Sequence, residues 1–262
     1  MDIKKLKKQL IKKYDMPDSF DIAFIMGSGL SAGVEIENKI VVPYEKVGMP
    51  KSKVQGFKGE FVFGTLHDKK VIKITRYHYY ESGDMNLVKL PFQILKEFNV
   101  KLVIMATATG GVKKELDAGD LLVISDHINL AFNNPFIASE QIKFVDMNNA
   151  YDKDYRKQVL KIAKDNNINI CEGVHAQLSG PNYETPAEVK FLEKIGVSTV
   201  SMSTAFDALC ARYYNIKVLA FASVSNKAGD IENEITHEEV LHVSQQNSQK
   251  LKVIISEFVK QL

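Results

Sequence analysis

The chain of 262 residues has only two cysteines, no tryptophan and no long apolar run. Two cysteines cannot form the disulfide framework of a small secreted domain. Cys171 and Cys210 lie in apolar sequence, so we expect both to be reduced core residues. Without about 18 consecutive apolar residues, or the apolar centre of a signal peptide, the sequence predicts no transmembrane helix and a cytoplasmic location.

The chain also lacks a charge excess of either sign. It has 34 basic and 32 acidic residues, which gives a net charge of +2. This balance argues against nucleic acid or an anionic membrane as the main partner. The first 13 residues do contain six lysines, but Leu6, Leu10 and Ile11 run between them with helical spacing. We therefore expect residues 1–20 to form an amphipathic helix with a solvated basic face, followed by a lead-in.

The order of predicted elements indicates the fold class. Apolar runs typical of buried strands, such as Asp21 to Met26, alternate with helical patterns along the chain. Two helix starts are marked in the sequence: Thr185, Pro186 and Glu188 supply a cap, a first-turn proline and a capping-box acid, and Thr236 with Glu239 caps a C-terminal helix. Two apolar runs, Phe61 to Leu66 and Val71 to Thr75, predict a hairpin. No helix is predicted from Val34 to Pro50. Alternating strands and helices predict an α/β fold, in which residues 1–262 form a single domain with a central mixed β-sheet flanked by helices.

Polar or glycine-rich sequence follows several of these strands. The positions are Ser28, Thr107 to Gly111, Tyr183 to Thr185, Ser203, and Ser225 to Lys227. In α/β sheets, ligands bind where strands end and loops begin. The sequence therefore predicts that these junctions contribute to one shared site.

The segment from Gly27 to Ala32 fits the loose G-x-G-x-x-G/A pattern of dinucleotide sites. That pattern requires the glycines to open a helix, and a second strand with an acid about 20 residues on. No helix is visible here, so an anion held by small residues and by the Ser28 hydroxyl is the favoured interpretation. A purely structural turn and a dinucleotide site remain as alternatives.

Three further segments carry side chains suited to binding. Arg76, His78 and Tyr80 alternate and, if the segment is extended, form a clamp for an oxyanion beside a sugar; an ordinary strand edge is the alternative. Ser203 could hold phosphate at a helix start, or act only as a cap.

In the third segment, Glu184 could accept from the N–H groups of a base while Tyr183 stacks on its ring. A helix-start acid without a ligand is the alternative. His237 and His242 are five residues apart, which does not fit the i, i+4 spacing of a helical zinc site. The sequence therefore predicts no metal site.

From about residue 20 to the C-terminus, the ordered set of these motifs resembles the trimeric purine nucleoside phosphorylase family. The matching stretches are Gly27-Ser28-Gly29-Leu30, Arg76-Tyr77-His78-Tyr79-Tyr80-Glu81, Gly110-Gly111, Asp126-His127-Ile128-Asn129-Leu130, Gly180-Pro181-Asn182-Tyr183-Glu184-Thr185, Ser201-Met202-Ser203-Thr204, Ser225-Asn226-Lys227 and His237-Glu238-Glu239-Val240. Each is short, but their order and spacing together are specific.

The resemblance implies a role for each matching residue. The implied phosphate-binding residues are Ser28, Arg76, His78, Ser203 and the backbone at Ala108. The implied ribose-binding residues are Tyr80, Met202, His237 and, from a neighbouring subunit, Phe144. The implied base-binding residues are Tyr183, Glu184 and Asn226. Asn226, Glu184 and His78 would be the catalytic group.

The implied activity is reversible, phosphate-dependent cleavage of 6-oxopurine nucleosides and deoxynucleosides, such as inosine and guanosine. The products would be the free base and ribose 1-phosphate, formed with inversion for purine salvage. The implied enzyme is a homotrimer that uses inorganic phosphate as co-substrate and no metal or organic cofactor. A methylthioadenosine phosphorylase and a non-catalytic nucleoside-binding protein remain as alternatives.

The sequence departs from the family pattern at three positions. Phe57 stands where the family commonly has a phosphate-site histidine, Thr107 where asparagine is usual, and Ala228 where a larger aliphatic residue is usual. These departures concern phosphate affinity, rate and substrate range, and they leave Glu184 and Asn226 in place.

Because Phe57 offers no hydrogen-bond donor, we expect weak phosphate affinity. Phe57→His should lower the KM for phosphate, by about fivefold if one hydrogen bond is gained. Steady-state kinetics with phosphate varied at saturating nucleoside will measure this. A phosphate KM in the usual enzyme range that does not change in Phe57→His would contradict the expectation.

Overall fold

The structure is a computed structural model that describes residues 2–55, 57–139, 142–230 and 236–262. Within these ranges the helices are α1 Ile3–Tyr14, α2 Met85–Glu97, α3 Lys153–Asp165, α4 Pro186–Lys194, α5 Ala205–Tyr213 and α6 His237–Lys260. The strands are β1 Ile22–Met26, β2 Glu37–Pro43, β3 Glu60–Leu66, β4 Lys69–Thr75, β5 Leu102–Gly111, β6 Leu121–Asn129, β7 Cys171–Gln177, β8 Thr199–Ser201 and β9 Lys217–Lys227. None of the helices so described is long and apolar enough to cross a membrane.

All these strands join one sheet with the order β2-β3-β4-β1-β5-β8-β7-β6-β9. Strand β9 also pairs with β5, so β5, β8, β7, β6 and β9 close into a ring at one end of the sheet. Parallel and antiparallel pairs both occur, and buried apolar clusters cover the two faces. The predicted α/β domain with a mixed sheet between helices is confirmed.

The register of three parallel strands brings distant residues together. Strand β1 lies between β4 and β5, with Met26 opposite Thr75 on one side and Ala106 on the other. The next residues along these strands are Gly27, Arg76 and Thr107. Because parallel strands end at the same edge, these three residues, up to 80 positions apart in sequence, emerge side by side.

Local sequence signals account for many of the element ends. The Thr185 side chain accepts from the Glu188 N–H at 3.3 Å, while the Glu188 carboxylate accepts from the Thr185 N–H at 2.7 Å. Thr236 and Glu239 form the same reciprocal cap on α6. Both capping boxes, and the hairpin of β3 and β4, confirm the predictions.

Two expectations from the sequence were wrong. Strand β2 was not predicted; it is an edge strand with mostly exposed side chains, so it lacks the apolar alternation that marks a half-buried strand. Cys171 is not a core residue but is exposed at the start of β7, whereas Cys210 is buried as expected. The strand β7 becomes buried only after its first two residues, Cys171 and Glu172, which are both exposed.

A single glycine fixes α6 against the loop that follows β1. Gly29 has φ of 73°, in the left-handed region, and a Cβ there would lie 2.7 Å from the Leu241 carbonyl oxygen and 2.7 Å from the Ser244 Cβ. Real Cβ atoms do not approach so closely, so the loop and α6 pack at a distance that only glycine permits. This packing holds the Gly27–Gly29 loop at the sheet edge.

We expect Gly29→Ala to destabilise the protein much more than Gly83→Ala. Gly83 has almost the same φ, 72°, but no atom within 4 Å of its Cβ position, so alanine there meets only backbone strain of about 1–2 kcal/mol. Gly29→Ala adds overpacking against α6, which costs about a further 1–3 kcal/mol. Urea unfolding of both variants measures the difference. Equal losses of unfolding free energy would show that the contact with α6 is not tight.

Candidate active site

One cavity of about 380 Å³ opens at the edge where β1, β5, β8 and β9 end. Ten of the twelve residues predicted for the site line it: Ser28, Arg76, His78, Tyr80, Ala108, Tyr183, Glu184, Met202, Ser203 and Asn226. Their segments are spread over 199 positions of sequence, from 28 to 226. The sheet therefore joins the polar strand ends into a single site, as predicted.

Arg76 provides a fixed positive charge at one end of the cavity. Its side chain is 2% exposed, its Nε donates to Asp207 Oδ2 at 2.7 Å, and its Nη1 donates to the Ala106 carbonyl at 3.4 Å. Its Nη2 has no hydrogen-bond partner. A buried guanidinium with an unused donor is arranged to receive an oxyanion.

Gly27 makes room for this guanidinium. A Cβ on Gly27 would lie 3.2 Å from Arg76 Nη1 and 3.1 Å from the Ala106 oxygen. The absence of a side chain therefore lets the arginine lie directly against the backbone of the glycine loop. Asp207, in the first turn of α5, was not predicted as a site residue. Its only sequence signal is that of an acid at a helix start, which fits the helix dipole equally well.

Two hydroxyl groups lie together at the same end of the cavity. The oxygens Thr107 Oγ1 and Ser203 Oγ are 3.1 Å apart, and both residues are buried. Ser203 follows β8 directly but does not begin α5, which starts at Ala205. Thr204 rather than Ser203 occupies the N-cap position, so the expected helix start was one residue too early, although the Ser203 hydroxyl does line the cavity.

His78 is held by Glu81. The backbone N–H of His78 donates to Glu81 Oε1 at 2.7 Å, and the His78 Nδ1 lies 3.2 Å from the same oxygen. Since a carboxylate only accepts, these distances assign a proton to Nδ1. Burial lowers the pKa of His78, with the hydrogen bond to Glu81 opposing the shift, so the neutral ring is favoured at physiological pH.

Tyr80 and Phe57 pack on the two sides of the His78 imidazole. The Tyr80 ring stacks on it with centroids 4.9 Å apart, and the Phe57 ring meets it edge-on at 5.3 Å. The segment is not extended throughout, because Tyr79–Glu81 form a 3₁₀ turn. The alternation argument for Tyr80 was therefore wrong, and the turn itself brings Tyr80 to the cavity beside Arg76 and His78.

The lining of the cavity also includes an acid and an amide, Glu184 and Asn226. Burial raises the pKa of Glu184, which precedes the cap of α4, and the negative charge of Glu188 adds to this. Asn226, near the end of β9, accepts from Ser225 Oγ at 2.9 Å and donates through Nδ2 to the Lys227 carbonyl at 3.1 Å. One amide hydrogen of Asn226 remains available.

Met202, which also lines the cavity, packs closely against the backbone of Gly180. Gly180 has φ of 68°, and a Cβ there would lie 2.5 Å from the Met202 sulfur. Tyr183, in the same loop, is 40% exposed at the mouth of the cavity. The lining of the cavity thus combines a guanidinium, a carboxylate and apolar side chains.

One predicted site residue, Phe144, does not line the cavity, and a second, His237, falls partly outside the described structure. Phe144 is 94% exposed in the irregular segment before α3. His237 is the first residue of α6, but its side chain lies outside the described part of the structure. Over the described ranges, no group of three or more histidine, cysteine, aspartate or glutamate side chains could hold a metal ion.

Comparisons with known proteins agree with this geometry. Residues 21–260 match the family model described as the phosphorylase superfamily. Purine nucleoside phosphorylase 1 of Bacillus subtilis is 41% identical over 241 residues, covering 89% of each chain. Purine nucleoside phosphorylase of Bos taurus is 31% identical over 250 residues, covering 90% of this chain and 86% of the bovine one.

Solved structures agree on the fold. Purine nucleoside phosphorylase of Schistosoma mansoni in complex with inosine superposes with a TM-score of 0.91 at 32% identity, covering 99% of this chain and 96% of that one. The complexes of the same enzyme with adenosine and guanosine give TM-scores of 0.90 and 0.88. The chain therefore belongs to the phosphorylase superfamily and, within it, to the purine nucleoside phosphorylases, which are pentosyltransferases.

Proposed function

We propose that this chain cleaves 6-oxopurine nucleosides and deoxynucleosides with inorganic phosphate, releasing the free base and ribose 1-phosphate with inversion at the anomeric carbon. The observation that carries this proposal is the polarity of one cavity. A buried guanidinium with a free donor lines it, and so do the half-buried carboxylate of Glu184 and the amide of Asn226. A phosphate anion suits the guanidinium, and a purine with an N1–H suits the carboxylate and the amide.

Phosphate is the ligand that satisfies Arg76. A buried donor without a partner costs about 1–3 kcal/mol, and a phosphate oxygen on Nη2 removes this cost. Ser28, Ser203 and the Ala108 backbone supply further contacts to the same anion. His78, neutral and protonated on Nδ1, presents an unprotonated Nε2 that can accept from a phosphate or sugar hydroxyl.

The reaction separates charge along the cavity. As the N-glycosidic bond breaks, positive charge develops on the ribose and negative charge on the departing purine. The phosphate bound at Arg76 stabilises the ribose cation and attacks its anomeric carbon on the face opposite the base, which inverts that carbon. Tyr80 and Met202 hold the ribose in line between the two.

The leaving purine is stabilised by Asn226 and Glu184. Asn226 can donate its free amide hydrogen to the purine N7 as negative charge reaches the ring, so the interaction strengthens in the transition state. Glu184 accepts the N1–H of a 6-oxopurine. Adenine has a lone pair at N1, which would face the carboxylate and leave it unpaired, so the pair discriminates against 6-aminopurines.

We further propose a homotrimer in which Phe144 enters the ribose site of a neighbouring subunit and His237 meets the ribose 5′-hydroxyl. The support is the family resemblance together with a group of exposed apolar side chains on the same segment, namely Phe132, Ile137, Ile142 and Phe144. Exposed patches of this kind mark protein interfaces. We propose that the reaction uses no metal or organic cofactor, because bound phosphate meets the positive charge on the ribose and Asn226 meets the negative charge on the purine. A solution mass of one chain would contradict the trimer.

The reaction is tested by measuring hypoxanthine release from inosine with and without phosphate. We expect release only with phosphate, and a fall in kcat of about 100- to 1,000-fold in Asn226→Ala, because the donor to the leaving base is lost. Asn182→Ala, in the neighbouring loop, serves as the control and should retain most activity. Binding of inosine without any turnover would identify a non-catalytic relative instead.

The base preference is tested with Glu184→Gln. We expect the ratio of kcat/KM for inosine to that for adenosine to fall at least about tenfold, because the charge-assisted acceptor becomes neutral and can donate to adenine. Glu188→Gln is the matched control, since glutamine preserves the capping box.

The pH profile tests the same residue. Because the pKa of Glu184 is raised, its carboxylate should become protonated at a higher pH than an ordinary glutamate does. On the acid side of the profile, kcat/KM for inosine should therefore fall at a higher pH than the pKa of an ordinary glutamate. This fall should disappear in Glu184→Gln. An acid limb that is the same in both proteins would assign base recognition to another group.

A further inference from the structure

A chain of hydrogen bonds begins behind the cavity, at a residue outside its lining, and ends at two lining residues, Ser201 and Ser203. His175, in the middle of β7, is fully buried. Its Nδ1 lies 3.0 Å from Thr199 Oγ1, and its Nε2 lies 3.1 Å from Ser201 Oγ and 3.2 Å from the Ser203 carbonyl oxygen. The imidazole thus connects β7 to both ends of the segment that carries Ser203.

These contacts define the protonation of the ring. The Ser203 carbonyl can only accept, so His175 Nε2 must carry a hydrogen and donate. Burial, the dominant effect, lowers the pKa of His175 to about 3, so the ring is neutral at physiological pH. With Nε2 protonated, Nδ1 accepts from the Thr199 hydroxyl. A ring fixed in this way provides a hydrogen bond of constant direction and does not exchange protons with substrate.

Ser201 continues the connection to Ser203. Its hydroxyl accepts from the Ser203 N–H and donates to the Ser203 carbonyl, both at 3.2 Å. His175 and Ser201 therefore hold both polar groups of the Ser203 backbone. The Ser203 hydroxyl is left to face Thr107 and the cavity.

The backbone at this point requires such support. Thr204, the next residue, has φ of 92°, an unfavourable value for a threonine, and its buried Oγ1 has no hydrogen-bond partner. Strain of this kind costs about 1–3 kcal/mol and persists only where the surroundings impose it. On the far side, Gln177 Oε1 accepts from the Phe206 N–H at 3.1 Å. The turn between β8 and α5 is thus fixed from β7 on both sides.

We propose that His175 is a positioning residue for phosphate binding, acting through Ser201 to fix the turn that points the Ser203 hydroxyl into the cavity. This inference rests on the proposed function, in which Ser203 contacts phosphate. His175 does not touch substrate. Its loss should weaken phosphate binding selectively, because the base end of the cavity is held by α4 and β9.

The test compares His175→Leu, which removes the donor, with His175→Gln, which retains an N–H. Ser201→Ala is a second variant that removes the connecting hydroxyl without opening a large cavity in the core. The KM values for phosphate and for inosine are measured separately, and phosphate binding to the full chain is measured by calorimetry. We expect the phosphate KM and Kd to rise about tenfold in His175→Leu and Ser201→Ala, and to recover partly in His175→Gln. The inosine KM should stay within about twofold.

His127→Leu is the matched control. His127 lies opposite His175 in the pairing of β6 with β7 and bonds to the Tyr151 hydroxyl, at 2.9 Å, rather than to the Ser203 segment. An unchanged phosphate Kd in His175→Leu and Ser201→Ala would overturn the inference, as would an equal shift in His127→Leu. If the unsubstituted protein neither binds phosphate nor cleaves inosine, the proposed function fails first, and this inference fails with it.

Discussion

The site depends on the parallel pairing of β1 with β4 and β5. This register places Gly27, Arg76 and Thr107 at one edge of the sheet, and its central strand, β1, is buried on both faces. A shift of one residue would reverse which face each side chain meets and would bury the wrong atoms. The guanidinium of Arg76 can then reach Asp207 at the start of α5, so a helix distant in sequence is joined to the sheet edge by a buried ion pair.

The buried charges are only partly compensated, and this shapes the chemistry. Arg76 has one carboxylate partner and one unused donor, while Glu184 is buried enough for its pKa to rise. Removing charges from water is costly unless each group is paired. A cavity with an under-satisfied cation at one end and an under-satisfied carboxylate at the other favours a ligand of opposite polarity at each end. The proposed substrates, phosphate and a 6-oxopurine nucleoside, together meet both requirements.

Rigidity around Arg76 and Ser203 comes largely from groups that lie behind the cavity lining. Gly29 lets α6 pack onto the glycine loop, Asp207 orients Arg76, and His175 with Ser201 holds the Ser203 turn. Of these groups, Gly29, Asp207 and His175 lie outside the cavity lining, and Ser201 is part of it. Such support is needed because the lining residues Ser28, Tyr80 and Ser203 lie outside the strands and α-helices. Preorganised donors stabilise developing charge without reorganising during the reaction.

The sequence by itself determined the fold class, the capping boxes of α4 and α6, and the polar strand ends from Ser28 to Asn226, because these depend on local patterns and on spacing. It did not predict β2, whose exposed edge position leaves no alternation, nor the exposure of Cys171. It also missed Asp207 and His175, since an acid in a first turn and a histidine in an apolar strand have ordinary local explanations. Only the tertiary structure decided their partners, because strand register and helix packing bring Asp207 to Arg76 and His175 to Ser203.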